Sequence, residues 1–432
     1  MKEKKIGLIL AGFPLLERKG GPPTYLFNLK KGVQQANIDD IFVESVVSSE
    51  DYYKGLNVEN SYSFAHKIKR SLKQIAKKTL LEFFPRQYSK IVFDKSSKTF
   101  KINGERFLEL FEKFDENYKV SFIHFHRTVD LYTWFISAKN TIPLILTSHS
   151  PYAPHIEIAE DVKYQVEKFT SKSSVINTVL ENIKNNFEKI DEIAFEKADY
   201  LIFPCEESME SYSKTWNQFD EIVARKKVIF IPTGSLPLLY SIDRDSFREK
   251  YNIPKDAFVV SYVGRHIAVK GYDLLCESAE YVWKRNKNVY FLIAGKQEPL
   301  KGLKDDRWIE IGWTNDPGSV INASDVFVLP NRDTFFDLVL IEFMSLAKPA
   351  LVSHVGGNKF LARQSEGIIP FSELTARALA DKILELSTYE KEVLERLGKA
   401  NYDLYNSFYT ADAFAKRYRE KVGKIFFHED KM

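Results

Sequence analysis

Short apolar runs alternate with longer amphipathic stretches along most of this chain. The runs have the length of β-strands, and stretches such as 272–285 and 338–346 repeat apolar residues at helical spacing. Buried strands that alternate with helices predict parallel sheets covered by helices on both faces. We expect strands at 6–11, 122–126, 144–147, 200–203, 228–231, 259–263, 289–294 and 326–329.

The series of strands restarts near residue 259, which divides the chain. The segment 235–257 before it is polar and contains Asp243-Arg244-Asp245 and Pro254, so we interpret it as a linker between two sheets. The pattern predicts two doubly wound, Rossmann-like α/β domains, residues 1–240 and 241–405. In such sheets ligands bind at the carboxyl ends of the strands. After residue 371 the pattern is mostly helical.

Composition excludes several classes of protein. The 62 basic and 59 acidic residues give a net charge of +3, which does not indicate a nucleic-acid partner. Two cysteines far apart in sequence argue against a disulfide framework and fit a reducing compartment. The first apolar run is too short for a signal peptide, and no apolar run reaches the 18 residues of a transmembrane helix. We therefore expect a cytoplasmic protein.

Glycines follow the first predicted strand. Gly20 and Gly21 precede the helical run 26–33. Glycine lets a backbone approach a ligand closely, and the start of a helix offers unpaired amides to an anion. An ordinary turn explains the same residues, so this motif alone leaves both readings open.

A second loop carries two cations. Gly264, Arg265 and Lys270 follow the predicted strand 259–263 and precede a helix. An arginine can make a forked contact with a diphosphate and a lysine can add a point charge. The alternative is that both are solvated surface cations.

A third loop, 330–337, runs into an apolar helix. Glu342 is the only acid within 338–347. A carboxylate on such a helix is costly unless it is paired or hydrogen-bonded, and ribose hydroxyls would satisfy it. Capping of nearby backbone amides is the alternative. Gly356 and Gly357 form a further turn, at an expected strand end.

Together and in this order, these residues resemble the retaining glycosyltransferases of family 4. The resemblance covers most of the chain and is strongest from about 259 to 360. There the matching residues are Val263-Gly264-Arg265, Lys270-Gly271, Ala323-Ser324-Asp325-Val326, Pro330, Glu342, Lys348-Pro349 and Gly356-Gly357. Weaker matches in the first half are Gly20-Gly21, Phe125-His126, Thr147-Ser148-His149 and Ile231-Pro232-Thr233-Gly234.

The resemblance implies the GT-B architecture, in which two Rossmann-like domains face a central cleft. Residues 1–240 would bind the acceptor and residues 241–405 the nucleotide-sugar donor. A final helix at about 406–432 would pack back on the first domain. Arg265 and Lys270 would neutralise the donor diphosphate, so the resemblance implies no metal and no cofactor.

The other site residues are implied in the same way. Glu342 would hold the ribose, and His149 would lie beside the transferred sugar. Gly20 and Gly21 would contact the phosphates. For His126 and His149 a purely structural role, bonding to backbone, stays open. The remaining nucleotide-sugar contacts would come from Gly264, Thr334, Phe336, Leu338, Val339, Gly356 and Gly357.

The sequence departs from the family at 334–337. The family has two glutamates separated by seven residues, but the first is replaced here by Thr334. The Gly-Phe-Gly that follows in the family is Phe335-Phe336-Asp337 here. We favour Asp337 as a helix N-cap, because aspartate is common at that position. The alternative is a catalytic role, in which Asp337 or Asp333 orients a donor or acceptor hydroxyl.

The predicted function is a retaining glycosyltransferase in bacterial surface polysaccharide or glycoconjugate synthesis. It would move a sugar from a nucleotide sugar, with UDP favoured, to a glycan, lipid-linked or protein acceptor. One alternative is a non-catalytic GT-B protein that stabilises or directs a partner glycosyltransferase. An epimerase or phosphorylase on the same fold also stays open.

A basic segment interrupts the alternation. Residues 61–84 carry six Lys or Arg and one His before Glu82, beside apolar residues at helical spacing. Such a composition is typical of a helix on an anionic membrane surface. We therefore predict peripheral membrane contact there, with docking of the apolar side on the first domain as the alternative.

Overall fold

The computed structural model describes residues 4–17, 21–47, 74, 76–138, 141–371 and 373–427. The chain forms two compact units. The amino-terminal unit comprises Met1–Phe203, Tyr212–Ile231 and Arg417–Met432, and the carboxyl-terminal unit comprises Pro204–Ser211 and Pro232–Lys416. The sequence predicted a division at residue 240, whereas the units divide after Ile231. Two segments belong to the other unit than their neighbours in sequence, Pro204–Ser211 and Arg417–Met432.

The amino-terminal unit contains a six-stranded parallel sheet in the order β2-β1-β3-β4-β5-β6. Its strands are almost continuously apolar because helices lie on both faces. The strands are β1 (Lys5–Ala11), β2 (Ile41–Ser45), β3 (Lys119–Phe125), β4 (Leu144–Leu146), β5 (Tyr200–Phe203) and β6 (Lys227–Phe230). The helices are α1 (Gly21–Gln35), α2 (Pro85–Asp115), α3 (Thr128–Ser137), α4 (Pro154–Glu167), α5 (Ser173–Lys197), α6 (Glu210–Thr215) and α7 (Phe219–Ala224). The first two residues of α6 belong to the carboxyl-terminal unit.

The sequence predicted that the first helix begins at residue 26, but helix α1 begins at Gly21. Pro22 and Pro23 lie in its first turn, where the fixed φ of proline suits a helix and the missing N–H breaks no intrahelical bond. Two of the first amides are therefore absent. The start of α1 offers an anion fewer donors than we predicted.

The carboxyl-terminal unit contains the second six-stranded parallel sheet, in the order β12-β11-β10-β7-β8-β9. This is the Rossmann order, with a topological switch point between β7 and β10. The strands are β7 (Phe258–Val263), β8 (Val289–Ala294), β9 (Trp308–Gly312), β10 (Val326–Leu329), β11 (Ala350–Ser353) and β12 (Ile368–Phe371). The helices are α8 (Arg244–Lys250), α9 (Tyr272–Trp283), α10 (Pro317–Asn322), α11 (Leu338–Met344), α12 (Gly356–Ala362), α13 (Ala376–Leu386), α14 (Lys391–Leu404) and α15 (Ala411–Phe426).

The predicted doubly wound α/β class is confirmed, with all eight expected strands present. Four further strands, β2, β9, β11 and β12, escaped the sequence reading because their apolar runs are short or interrupted. Strand β9 has the sequence Trp-Ile-Glu-Ile-Gly, whose acid breaks the run. Strand β12 contains a proline, which is tolerated because it lies at the edge of the sheet.

The interpretation of 235–257 as a linker is wrong, because the segment contains α8. The Asp243 carboxylate caps this helix by accepting from the amides of Asp245 and Ser246. Buried Arg248 binds Asp325 at 2.8 Å and the Ala323 carbonyl at 2.8 Å. The two arginines of the segment, Arg244 and Arg248, are therefore paired with Asp325 of the carboxyl-terminal unit.

The final helix α15 starts at Ala411, and its residues from Arg417 onward belong to the amino-terminal unit. Tyr418 lies 2.8 Å from His124 Nδ1, and Arg419 binds Asp40 at 2.8 Å. The apolar residues Phe414, Tyr418 and Val422 recur at helical spacing along α15 and are fully buried, whereas Ile425 is 40% exposed. No helix among the described residues is long and apolar enough to cross a bilayer.

Candidate functional site

Two loops of the carboxyl-terminal unit meet at the switch point of its sheet. Neighbouring strands β7 and β10 are followed by residues 264–271 and 330–337, respectively. Gly271 has a φ of +64°, and a Cβ there would lie 1.8 Å from the Pro330 carbonyl oxygen. The Arg332 amide donates to the Val269 carbonyl at 2.9 Å. The two loops are therefore held together where ligands bind in sheets of this kind.

Arg265 places an exposed cation at this point. Its backbone is fixed, because its carbonyl accepts from the Tyr262 hydroxyl at 2.8 Å and from the Ile267 amide at 2.9 Å. Its side chain is exposed, and within the described ranges the guanidinium has no hydrogen bond or ion pair. The preceding residue, Gly264, donates its amide to Ala294 at 3.0 Å. Arg265 can thus bind an oxyanion without breaking a side-chain contact to any residue that the structure describes.

Lys270, unlike Arg265, already forms an ion pair. Its Nζ lies 2.6 Å from Asp337 Oδ1, with side-chain exposures of 23% for the lysine and 9% for the aspartate. The other carboxylate oxygen accepts from Asn331 Nδ2 and from Thr334 Oγ1, the latter at 3.0 Å. Asn331 and Thr334 are buried. The carboxylate is therefore fully satisfied by three side chains of the two loops.

The expectation that Asp337 caps helix α11 is wrong. It occupies the N-cap position, but its side chain makes no capping hydrogen bond. Lys270, Asn331 and Thr334 supply the hydrogen bonds that a capped backbone amide would otherwise give to this carboxylate. Sequence reasoning missed Asn331, whose only signal was its position directly after Pro330 at a strand end.

The two predicted glycines at the start of α12 lie against the 334–336 loop. Gly356 has a φ of +42°, and a Cβ there would lie 1.8 Å from the Thr334 carbonyl oxygen. The Gly357 amide donates to the Phe335 carbonyl at 3.2 Å, and buried Phe336 packs on Gly357. The structure thus brings Thr334, Phe336, Gly356 and Gly357 together with Asp337, and backbone crowding explains both glycines.

Helix α11 carries the remaining predicted residues of this unit. Leu338 and Val339 form its half-buried first turn, and Glu342 is half-buried one turn later. Burial, and after it the charge of Glu342, raise the pKa of the Tyr405 hydroxyl. That hydroxyl donates to the Ser235 carbonyl at 2.9 Å. Glu342 therefore lies near Tyr405, a neighbour that the sequence did not indicate.

Several residues of the family pattern have structural roles. Asp325 binds Arg244 at 2.6 Å and accepts from the Val259 amide at 2.7 Å. Lys348 donates to the Ser324 carbonyl at 3.0 Å, and burial lowers the pKa of Lys348 to about 8. A Cβ on Gly234 would lie 2.6 Å from the Thr410 carbonyl oxygen. These positions stabilise the unit and do not point to a ligand.

In the amino-terminal unit, two predicted histidines contact each other at the carboxyl ends of β3 and β4. His126 Nδ1 lies 2.9 Å from His149 Nε2, and the two rings are stacked. The Tyr25 ring packs on both, with centroid distances of 5.2 and 4.5 Å. One histidine must donate and the other accept, so the bond fixes complementary tautomers.

These histidines are uncharged at neutral pH. Loss of solvent lowers the pKa of His149 to about 3. Burial, and then the neighbouring His124 and His149, hold the pKa of His126 well below its usual range. Burial does the same to the pKa of His124. The cluster can exchange hydrogen bonds with a polar substrate, but it supplies no positive charge.

His124 is a further polar residue that the sequence reading missed. It is fully buried and lies 2.9 Å from Thr147 Oγ1 and 2.8 Å from the Tyr418 hydroxyl. Thr147 precedes the Ser148-His149 pair in the same predicted motif. No local signal could have found Tyr418, because 294 residues separate it from His124.

The first glycine motif is only partly visible. Gly20 lies outside the described residues. Gly21 begins α1, and a Cβ there would meet nothing within 4 Å. Packing thus does not explain why residue 21 is a glycine. Most of the predicted basic segment, 61–73 and residue 75, also lies outside the described residues. The described ranges contain no group of three or more His, Cys, Asp or Glu that could hold a metal ion.

Comparison with known proteins agrees with this geometry. Residues 257–388 match the family model described as Glycosyl transferases group 1. A UDP-Gal:alpha-D-GlcNAc-diphosphoundecaprenol alpha-1,3-galactosyltransferase of Escherichia coli is 28% identical over 166 residues, 34% of this chain and 43% of that protein. An alpha-D-kanosaminyltransferase of Streptomyces kanamyceticus is 27% identical over 191 residues, 41% of this chain and 49% of that protein. The aligned part thus spans less than half of either relative.

Solved structures with the GT-B fold are similar over nearly the whole chain. Sucrose-phosphate synthase from Thermosynechococcus elongatus superposes with a TM-score of 0.62 at 19% identity, covering 98% of this chain and 100% of that one. Anabaena HepE in complex with UDP and glucose gives 0.58 at 14% identity, with 98% and 100% covered. At these identities the likeness establishes the fold. The chain has the GT-B fold, and its residues 257–388 match the model of the glycosyl transferases group 1 family.

Proposed function

We propose that the protein is a retaining glycosyltransferase that transfers a sugar from a nucleotide-sugar donor held by the carboxyl-terminal unit. The observation that carries this proposal is the position of Arg265. It is an exposed cation with no partner among the described residues, at the carboxyl end of β7 and the switch point of a Rossmann sheet. Lys270 lies on the same loop, and the Gly356–Gly357 turn lies against the neighbouring loop. We assign Arg265 and Lys270 to the diphosphate and Glu342 to the ribose.

UDP is the favoured nucleotide, and a glycan or a lipid-linked glycan is the favoured acceptor. The Escherichia coli relative supports both choices, since its name gives a UDP-sugar donor and a diphosphoundecaprenol acceptor. The acceptor is assigned to the amino-terminal unit, where uncharged His149 can hydrogen-bond to a sugar hydroxyl. No metal is required, because Arg265 and Lys270 stabilise the charge of the leaving group.

A lipid-linked acceptor places the reaction at the inner face of the membrane. In the described part of the basic segment, Phe83 and Phe84 are 70% and 63% exposed, near exposed Lys78 and the exposed Arg86 that follows the segment. The neighbouring Leu81 is buried in the amino-terminal unit, whereas the two phenylalanine side chains face solvent. Cosedimentation with anionic but not neutral vesicles, lost on Phe83→Ser plus Phe84→Ser, would support membrane contact. Equal failure to bind both vesicle types would contradict it.

A thermal-shift panel tests the donor assignment. A ligand that binds only the folded state raises its melting temperature. UDP-, GDP- and dTDP-sugars are each titrated into the wild-type protein and into Arg265→Ala. We expect one nucleotide class to raise the Tm of the wild type and to raise that of the variant much less. A panel in which no nucleotide sugar shifts the Tm would contradict the proposal.

The ion pair between Lys270 and Asp337 is the one observation that favours a second candidate, a non-catalytic partner of another glycosyltransferase. A neutralised lysine weakens the case for a working diphosphate site. The two functions differ in one measurement, since a scaffold protein shows no turnover of any nucleotide sugar. Release of nucleoside diphosphate by the purified chain would exclude the scaffold role.

A further inference from the structure

The Asp337 carboxylate lies beside Lys270, where the negatively charged diphosphate of the proposed donor would bind. An oxygen that hydrogen-bonds to Lys270 Nζ would lie within about 5.5 Å of the Asp337 carboxylate, since that nitrogen is already 2.6 Å from Oδ1. Any phosphate that Lys270 binds is therefore a near neighbour of Asp337. Glycine, which the family has at this position, would leave the phosphate without that charge.

The carboxylate stays in place when Lys270 turns to a ligand. Two of its three donors, Asn331 Nδ2 and Thr334 Oγ1, do not depend on the lysine. Both donors belong to buried residues of the loop that also carries Asp337. The phosphate thus meets two cations, Arg265 and Lys270, together with one carboxylate that keeps two of its three hydrogen-bond donors.

The donor and the product of transfer differ by one charge. Transfer breaks the bond between the anomeric carbon and the diphosphate oxygen, which keeps the electron pair. The acceptor oxygen forms the new bond to that carbon, and its proton passes to the diphosphate. The terminal phosphate then loses this proton to water above its second pKa of about 6. A nucleotide sugar carries two negative charges, and the released nucleoside diphosphate carries about three.

We propose that Asp337 is a specificity-determining residue that favours release of the nucleoside diphosphate over release of the nucleotide-sugar donor. The inference rests on the proposed function and names how its diphosphate site distinguishes substrate from product. The carboxylate repels the third charge, which only the product has. One unit charge at 4–5 Å in a water-like environment changes an equilibrium by about fivefold.

The test is titration calorimetry at pH 7.5 with two pairs of ligands, UDP with UDP-glucose and GDP with GDP-mannose. The proteins are the wild type, Asp337→Asn and Asp337→Gly, the latter restoring the residue that the family has. Asp381→Asn is the matched control, since it removes an aspartate from an exposed ion pair with Arg285 elsewhere in the same unit. Two neutral variants are used so that poor folding of one does not decide the outcome.

We expect both Asp337 variants to bind the nucleoside diphosphate more tightly than the wild type does. This gain should exceed the gain for the matching nucleotide sugar by about fivefold, and the control should change neither. Equal gains for both ligands, or tighter binding of the nucleotide sugar alone, would overturn the inference while leaving the proposed function standing. Absence of nucleotide binding to every protein would overturn both.

Discussion

Both sheets carry polar side chains at the carboxyl ends of their strands, but in opposite electrical states. After β3 and β4, burial keeps His126 and His149 uncharged, and the two rings bond to each other. After β7 and β10, Lys270 and Asp337 are paired at 2.6 Å, and Arg265 is exposed without a partner among the described residues. We therefore propose different tasks for the two clusters, hydrogen bonding without charge in one unit and anion binding in the other.

The largest expected effect is on the exposed cation. Arg265→Ala should lower kcat by about 10²–10³, because it removes an electrostatic stabiliser of the leaving diphosphate. Stability should hardly change, since the guanidinium has no partner among the described residues. Steady-state kinetics and thermal melts measure the two quantities. Arg285→Ala, beyond the far end of α9, is the control. Wild-type turnover by Arg265→Ala would remove the assigned diphosphate contact.

Glu342→Gln should have the second-largest effect. It keeps the shape of the side chain and removes its charge, so donor affinity should fall by about 1.5–3 kcal/mol if the carboxylate binds ribose. Calorimetric titration of the preferred nucleotide sugar measures this loss. Exposed Glu395→Gln on α14 is the control. If Glu342→Gln unfolds at lower temperature but binds donor with unchanged affinity, the glutamate serves the packing near Tyr405 and not the ligand.

Lys270→Ala tests the difference between the paired lysine and the exposed Arg265 of the same loop. The lysine is an ion-pair partner, so its loss leaves a mostly buried carboxylate with only Asn331 and Thr334 as donors. We expect the free energy of unfolding to fall by about 1–3 kcal/mol, unlike that of Arg265→Ala. Denaturant unfolding measures the difference. Lys270→Ala combined with Asp337→Asn should recover much of the loss, whereas an unchanged loss would show that the pair does not stabilise the loops.

The smallest effect concerns the histidines. The pKa of His149 is about 3 in the folded protein and 6.5 in the unfolded chain. Between these values the unfolded state binds a proton that the folded state does not, so stability falls as the pH drops below 6.5. One such histidine should cost about 1 kcal/mol between pH 6.5 and 5.5.

Urea unfolding at the two pH values measures this cost. His149→Gln should lose less stability on acidification than the wild type, and the exposed His354→Gln should lose as much as the wild type. An identical pH dependence for all three proteins would mean that His149 is accessible to protons and that the amino-terminal cluster is not a neutral one.

Local pattern predicted the sheets well and the ion pairing poorly. Apolar runs and helical spacing located eight strands, because burial on both faces leaves a strong signal in sequence. The linker was misread, since polar Asp243 and Arg244 look solvated until their partners are known. Asp337 was misread for the same reason. Its neighbours in sequence suggested a cap, but Lys270 lies 67 residues away and reaches it only because β7 and β10 are adjacent.

The central claim is that this chain moves a sugar from a nucleotide sugar with retention, and one measurement tests it most directly. The full chain is incubated with its preferred nucleotide sugar and an undecaprenyl-diphosphate-linked sugar acceptor, and the anomeric proton of the product is followed by NMR. The account predicts release of nucleoside diphosphate together with a new glycosidic bond of the same anomeric configuration as the donor. Inversion of that configuration, or no turnover of a nucleotide sugar that binds, would contradict it.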